Sequence, residues 1–239
     1  MRPLTFVMAI AFLFSACSRD NTTVPIDKST AALASTGSAT IPESPAGAEA
    51  TEPAPSPAFG DIVLEGTGKQ VVKFTTPDDA ASIAVITHRG AGNLIVRSVD
   101  AAGRNTKNLV QAAGDYDGTV VFDVPQDDGE HSVAFEVDAD GPWTITIKPV
   151  TSAPAWDLSG TLEGTGDTIY RIVPRSSRPA LLQVSYTGDA NFIVHSHGLD
   201  GPNGLVNEIG TYHGRVWMPD GSFILEVDAD SGSWTVTAG

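Results

Sequence analysis

From residue 60 to the C-terminus, apolar and polar side chains alternate one by one in short bursts, each closed by Gly, Asp or Asn. Val133, Phe135 and Val137 alternate with Ala134, Glu136 and Asp138. Beyond Asp140-Gly141-Pro142, Trp143, Ile145 and Ile147 alternate with Thr144 and Thr146. A period of two sends successive side chains to opposite faces of a strand, so this stretch predicts a hairpin with one buried face. Its Asp-Gly supplies the turn. Further strands are predicted at 62–64, 71–74, 83–88, 94–99 and 120–122, with a short piece near Leu109. No run longer than six residues shows helical spacing.

The pattern occurs twice. Glu65-Gly66-Thr67-Gly68 returns as Glu163-Gly164-Thr165-Gly166, and at the same shift of 98 Asn93 meets Asn191 and Ile95-Val96 meets Ile193-Val194. Leu109-Val110 aligns with Leu205-Val206, and Gly114, Tyr116 and Gly118 with Gly210, Tyr212 and Gly214. Glu136-Val137-Asp138-Ala139-Asp140 matches Glu226-Val227-Asp228-Ala229-Asp230 at a shift of 90, and Trp143-Thr144 matches Trp234-Thr235. A period this long marks a duplicated domain, since solenoid units are ~20 to 50 residues. The expected fold is therefore all-β, with two tandem antiparallel β-sandwich domains at 60–149 and 156–239. Seven or eight short strands in each give jelly-roll or Greek-key character.

Ahead of these domains the composition changes. Of the 42 residues from 18 to 59, 29 are Ser, Thr, Ala, Pro or Gly, and no apolar period is present. Such a stretch buries too little surface to offset the entropy of ordering it, so a disordered linker is expected. As a coil it spans roughly 35 to 40 Å. Before it, Arg2 and the apolar run 4–14 lead to Ser15-Ala16 and to Cys17, the one cysteine of the chain. A basic start, a short apolar core and small residues before the cut describe a secretory signal, 1–16, and the run is shorter than the ~20 residues of a spanning helix.

Leu13-Phe14-Ser15-Ala16-Cys17 resembles the lipobox of bacterial lipoproteins. The resemblance implies that the Cys17 thiol carries fatty acyl chains such as palmitate, and that residues 17–59 tether the domains to a membrane lipid layer. Phe14 departs from the leucine usual in that family. Ordinary cleavage after Ala16 is a second reading, but an A-x-A-like site wants a small residue where Phe14 stands. An uncleaved anchor is a third.

Asn191-Phe192-Ile193-Val194, Leu205-Val206-Asn207-Glu208-Ile209-Gly210-Thr211-Tyr212-His213-Gly214 and Trp234-Thr235-Val236 together resemble an NFxV, LVNxIGxYxG and WTI repeat of secreted bacterial proteins. In size and strand order they are similar to the pre-peptidase C-terminal class of β-sandwich. The first copy departs with Gln111-Ala112-Ala113 in place of Asn207-Glu208-Ile209. What the resemblance implies is a non-catalytic accessory module, and it assigns no active site.

Charge narrows the partners. Residues 60–150 carry 14 acids against 7 bases, and residues 151–239 carry 10 against 4. Nucleic acid is excluded as a partner, since affinity for it comes from Lys and Arg neutralising phosphates. Candidate chemistry is sparse. Asp138, Asp140, Asp228 and Asp230 supply the oxygen ligands calcium takes, but a hairpin turn explains them equally well. His195 and His197 share one face of a predicted strand and, with His213, make a candidate three-histidine zinc site; solvent-facing histidines are the plainer reading. No Gly-x-Ser-x-Gly is present, and Gly66-Thr67-Gly68 leads into a strand rather than a helix, so it is a turn and not a phosphate cradle. Trp143 and Trp234 are expected in the cores, whereas Trp217, near Tyr212 and His213, is a candidate for an exposed carbohydrate platform.

These observations lead to an expectation of a lipoprotein of the bacterial cell envelope, facing outside the cytoplasm. It would be a non-catalytic binding module for an envelope protein or glycan, without cofactor or metal. The alternatives are a structural envelope component and a metal-dependent enzyme built on His195 and His197.

Overall fold

The computed structural model describes residues 59–77, 81–125 and 130–239. The apolar run, Cys17 and the linker sequence up to residue 58 lie outside the described residues. The first copy forms β1 (Ile62–Thr67), β2 (Gln70–Lys73), β3 (Ser82–His88), β4 (Asn93–Asp100), β5 (Asn105–Ala113), β6 (Tyr116–Phe122), β7 (Ser132–Ala139) and β8 (Pro142–Pro149). A 3-10 turn at Val150–Ser152 and a two-residue strand, β9 (Ala155–Trp156), lead into the second copy. There the strands are β10 (Thr161–Gly164), β11 (Thr168–Ile172), β12 (Ala180–Thr187), β13 (Asn191–Gly198), β14 (Gly201–Ile209), β15 (Tyr212–Met218), β16 (Ile224–Ala229) and β17 (Ser233–Ala238).

Strands of the first copy form two sheets, in the orders β1-β8-β3-β6 and β2-β7-β4-β5. The second copy repeats both orders as β10-β17-β12-β15 and β14-β13-β16-β11, with β9 added in parallel beside β11. Two four-stranded antiparallel sheets in this order are a jelly roll. The expected all-β architecture is the one observed.

The repeated motifs carry this symmetry because they make one contact. Antiparallel pairing places Gly66 of β1 opposite Trp143 of β8, and Gly164 of β10 opposite Trp234 of β17. A Cβ on either glycine would run into the indole, so the ring lies directly on bare backbone. The indole Nε1 then donates to the carbonyl of Gly68 in the first copy and of Gly166 in the second, at 3.1 Å in both. Those two glycines take a left-handed φ of 71°, which a side chain disfavours. Glu-Gly-Thr-Gly and the distant Trp are thus two halves of a clasp joining the first and last strands of each sandwich.

Each sandwich fills its own interior. Phe122 meets Phe74 and Phe135 edge-on in the first, and Tyr186 stacks on Phe192 at 4.5 Å in the second. A third apolar cluster lies between the sandwiches, where the outer face of β3 and β6 meets the outer face of β11 and β16. Ile83, Val121, Ile169 and Ile224 form its centre, with Val124 and the connecting Val150 beside them. The two sandwiches form one compact unit.

Candidate functional site

Burial of the third cluster brings charged groups of both sandwiches together at its edge. Alternation along β16 sends Leu225, Val227 and Ala229 into the second sandwich, so Glu226 and Asp228 project toward the first. Asp167 precedes β11 and faces the same way. From the first sandwich, the Tyr116 hydroxyl donates to Asp167 Oδ2 at 2.5 Å, and the Thr119 amide donates to the Asp167 carbonyl at 3.0 Å. Asp167 Oδ1 accepts from the Ala229 amide at 2.9 Å. Lys107 of β5 donates to the Val121 carbonyl at 3.0 Å and lies 3.7 Å from Glu226.

This arrangement packs like charges into a half-buried cleft, and their proton affinities follow. Burial, then the neighbouring Asp167, Asp230 and Glu226, pushes the Asp228 carboxyl up to about 7. Burial raises Asp167 and Asp230 as well. Tyr116 is driven far above its ordinary value by burial and by the Asp167 carboxylate. Glu226 runs the other way: burial would raise it, but the His197 hydrogen bond and the charges of Lys107 and His195 hold it below the usual carboxylate range. A cavity of about 300 Å³ opens here, lined in part by Asn108, Gln111, Tyr116, Asp167 and Asp228. What the cluster can do chemically is hold a proton among its crowded carboxyls, Asp167, Asp228 and Asp230, all raised by burial.

The two copies use the repeated aspartates differently. Asp138 pairs with Lys69 at 3.1 Å on an exposed surface. Asp140 accepts from the amides of Ala91 at 3.1 Å and Gly92 at 2.6 Å, and stands 3.2 Å from Nε2 of the fully buried His88. At the position of His88 the second copy has Tyr186, which donates to the Ser231 carbonyl at 2.5 Å. Asp228 and Asp230 therefore belong to the inter-sandwich cleft, whereas Asp138 and Asp140 belong to a solvent-facing hairpin.

The candidate three-histidine site is not assembled. His195 and His197 project from the outer face of β13, where His197 Nε2 lies 2.9 Å from Glu226 and His195 lies 4.0 Å from it. His213 lies on the outer face of β15, in the opposite sheet, and its Nδ1 is 2.8 Å from Ser185 Oγ. The period-two reading placed the first pair on one face correctly; it could not show that His213 lies across the sandwich. Among the described residues no group of three or more His, Cys, Asp or Glu is arranged to hold a metal ion.

Trp143 and Trp234 are each 2% exposed, whereas Trp217 is 64% exposed. Trp217 ends the outer row of β15 above a shallow cleft of about 700 Å³, walled by Arg178, Pro179, Pro219 and Asp220. Across the ladder it pairs with Leu181. Sequence reasoning missed Tyr116, Asp167 and Glu226. One signal was available: Lys69 of the first copy aligns with Asp167 of the second, a charge reversal within otherwise matching motifs.

No protein-family model and no curated protein matches the sequence. Among solved structures, the chain is similar to the regulatory subunit of a cAMP-independent protein kinase A from Trypanosoma cruzi bound to guanosine. That match has 9% identity over 74% of this chain and 71% of that one, with a TM-score of 0.24. The corresponding Trypanosoma brucei subunit matches at 8% identity over 74% of both chains, TM-score 0.23. The regulatory domain of Toxoplasma gondii PKA with cAMP matches at 6% over 71% and 78%, TM-score 0.21. Likeness at this level carries over neither a ligand nor an activity.

Proposed function

We propose that this chain is a membrane-anchored envelope lipoprotein whose paired sandwiches act as a non-catalytic interaction module. Its contact surface is the outer face of the second sandwich. The observation that carries the reading is Trp217. A large indole left 64% exposed beside Leu181, Pro179 and Pro219 is the kind of aromatic anchor that dominates binding surfaces. The lipobox-like Leu13-Phe14-Ser15-Ala16-Cys17 supports anchoring, since two or more acyl chains hold a protein stably at a membrane where one does not.

Two measurements on the full chain in its native envelope test this. Cys17→Ser releases the protein from the membrane fraction or leaves the precursor uncleaved, and unchanged retention with normal processing overturns the anchor. Oxidative footprinting compares Trp217 in intact envelopes with Trp217 in dilute purified protein. The module reading expects protection in the envelope; equal oxidation in both refutes it.

A further inference from the structure

Trp217 and Val71, exposed on the two sandwiches, are the repeat counterparts of residues buried in the interface between them. In the first sandwich Ile83 and Val121, paired across β3 and β6, are 3% and 0% exposed, because the second sandwich covers them. The same ladder position in the second sandwich holds Leu181 and Trp217, and there Trp217 is 64% exposed. Two more first-sandwich members of the central cluster, Ala81 and Val124, align with Pro179 and Asp220. Both line the cleft beside Trp217. That cleft is the uncovered counterpart of the central interface.

Val71 completes the correspondence. Ile169 of β11 contributes to the central cluster from the second sandwich and is 1% exposed. Its partner across β16 is Glu226, just as Val71 of β2 pairs with Glu136 of β7. Val71 is therefore the equivalent residue in the first sandwich, and it is 64% exposed. Likewise Phe223 and Ile224 correspond to Val133 and Ala134.

The sizes also match. At the centre, small Val121 faces a surface built from Ile169, Ile224 and Phe223. On the exposed outer faces, large Trp217 stands on one and the smaller Val71 on the other. Exchanging large for small across a contact preserves the filled volume, the kind of change that apolar packing tolerates best.

We propose that the occupant of the Trp217 face is the Val71 face of a second copy of this chain, docked head to tail as the second sandwich docks on the first. Such a contact uses two different patches and does not close on itself, so it propagates into open chains of molecules. The inference rests on the module reading and assigns its partner.

Sedimentation of the full chain carrying Cys17→Ser, so that no lipid drives association, tests it. The weight-average mass is expected to rise with concentration over a ~1 to ~100 micromolar range, the weak end for interfaces of ordinary size. Val71→Glu and Trp217→Glu each leave one end intact and are expected to be monomeric alone. Because both positions are exposed, melting curves matching the parent separate lost association from lost folding. Mixed one to one, the two variants still own one intact patch of each kind and form a dimer that grows no further.

A parent chain that stays monomeric throughout this range overturns the proposal. So does association that Trp217→Glu abolishes but Val71→Glu leaves intact, which would mean symmetric pairing. Monomeric protein that binds soluble glycans through Trp217 also overturns it. Envelope protection of Trp217 without self-association removes this inference and leaves the module standing, so the two readings fail separately.

Discussion

Asp228→Asn offers the sharpest test of the inter-sandwich cleft, because it removes one charge and almost no volume. Folding lifts the Asp228 carboxyl from an unfolded value of ~3.9 to about 7, through burial and three neighbouring carboxylates. A group raised in this way favours the folded state fully below its unfolded value and loses that stabilisation as pH rises through the folded one. Taken whole, the change is worth ~4 kcal/mol at 1.36 kcal/mol per tenfold in proton affinity. Solvent reaches part of the site and the neighbouring Asp167 carboxyl is raised as well, so ~1 to 3 kcal/mol is expected. Glu226 and Asp100 have lowered values, so their contributions appear above their unfolded values and vanish only in more acidic solution. Between about pH 5 and pH 8 Asp228 and its raised neighbours contribute a fall in stability, and Asp228→Asn isolates the part that belongs to Asp228. Urea or thermal unfolding of the full Cys17→Ser chain should show stability falling across that window. Asp228→Asn should flatten the fall and raise the melting temperature at pH 8 by ~2 to 4 °C per kcal/mol recovered. A wild-type profile that is flat or rises from pH 5 to 8, or a variant profile parallel to it, refutes the reasoning.

Other substitutions reach other parts of the structure. Trp143→Ala or Trp234→Ala empties a clasp and should cost ~3 to 5 kcal/mol, read as a lower urea midpoint. Tyr116→Phe deprives the half-buried Asp167 of a donor and should cost ~1 to 3 kcal/mol in the same assay, with a smaller loss at pH 5, where the carboxyls are better protonated. Millimolar calcium should leave the melting temperature unchanged against a chelator control. A real site at 100 times its dissociation constant would add ~2.7 kcal/mol, and a rise that Asp140→Asn or Asp230→Asn abolishes would reinstate the aspartates as ligands.

Period-two alternation and the ordered matches between copies made the fold legible, because both report which side chains share a sheet face. The tryptophans were legible for the same reason. Burial of both faces of a strand was not. Ile83, Val121, Ile169 and Ile224 sit at positions that alternation alone assigns to solvent, and only docking of the second sandwich buries them. The cleft was hidden with them: Asp228 reads as a hairpin aspartate like Asp138, and its environment is set by Tyr116 and Asp167, which are remote in sequence. His213 shows the converse limit, since sequence proximity to His195 and His197 conveys nothing about which sheet a strand joins.

The clasp between β1 and β8 also decides how the molecule takes a pull. These strands are antiparallel, with Ile62 opposite Ile147 and Thr67 opposite Pro142. Chain enters at Ile62 and leaves for the second sandwich beyond Pro149, at the same end of the ladder. Tension between residue 59 and the second sandwich therefore loads the ladder as a zipper, one rung after another, rather than shearing all rungs at once. The rungs at Ile62, Val63 and Leu64 meet that force first, and the Gly66–Trp143 contact lies near the far end, where an advancing tear would halt.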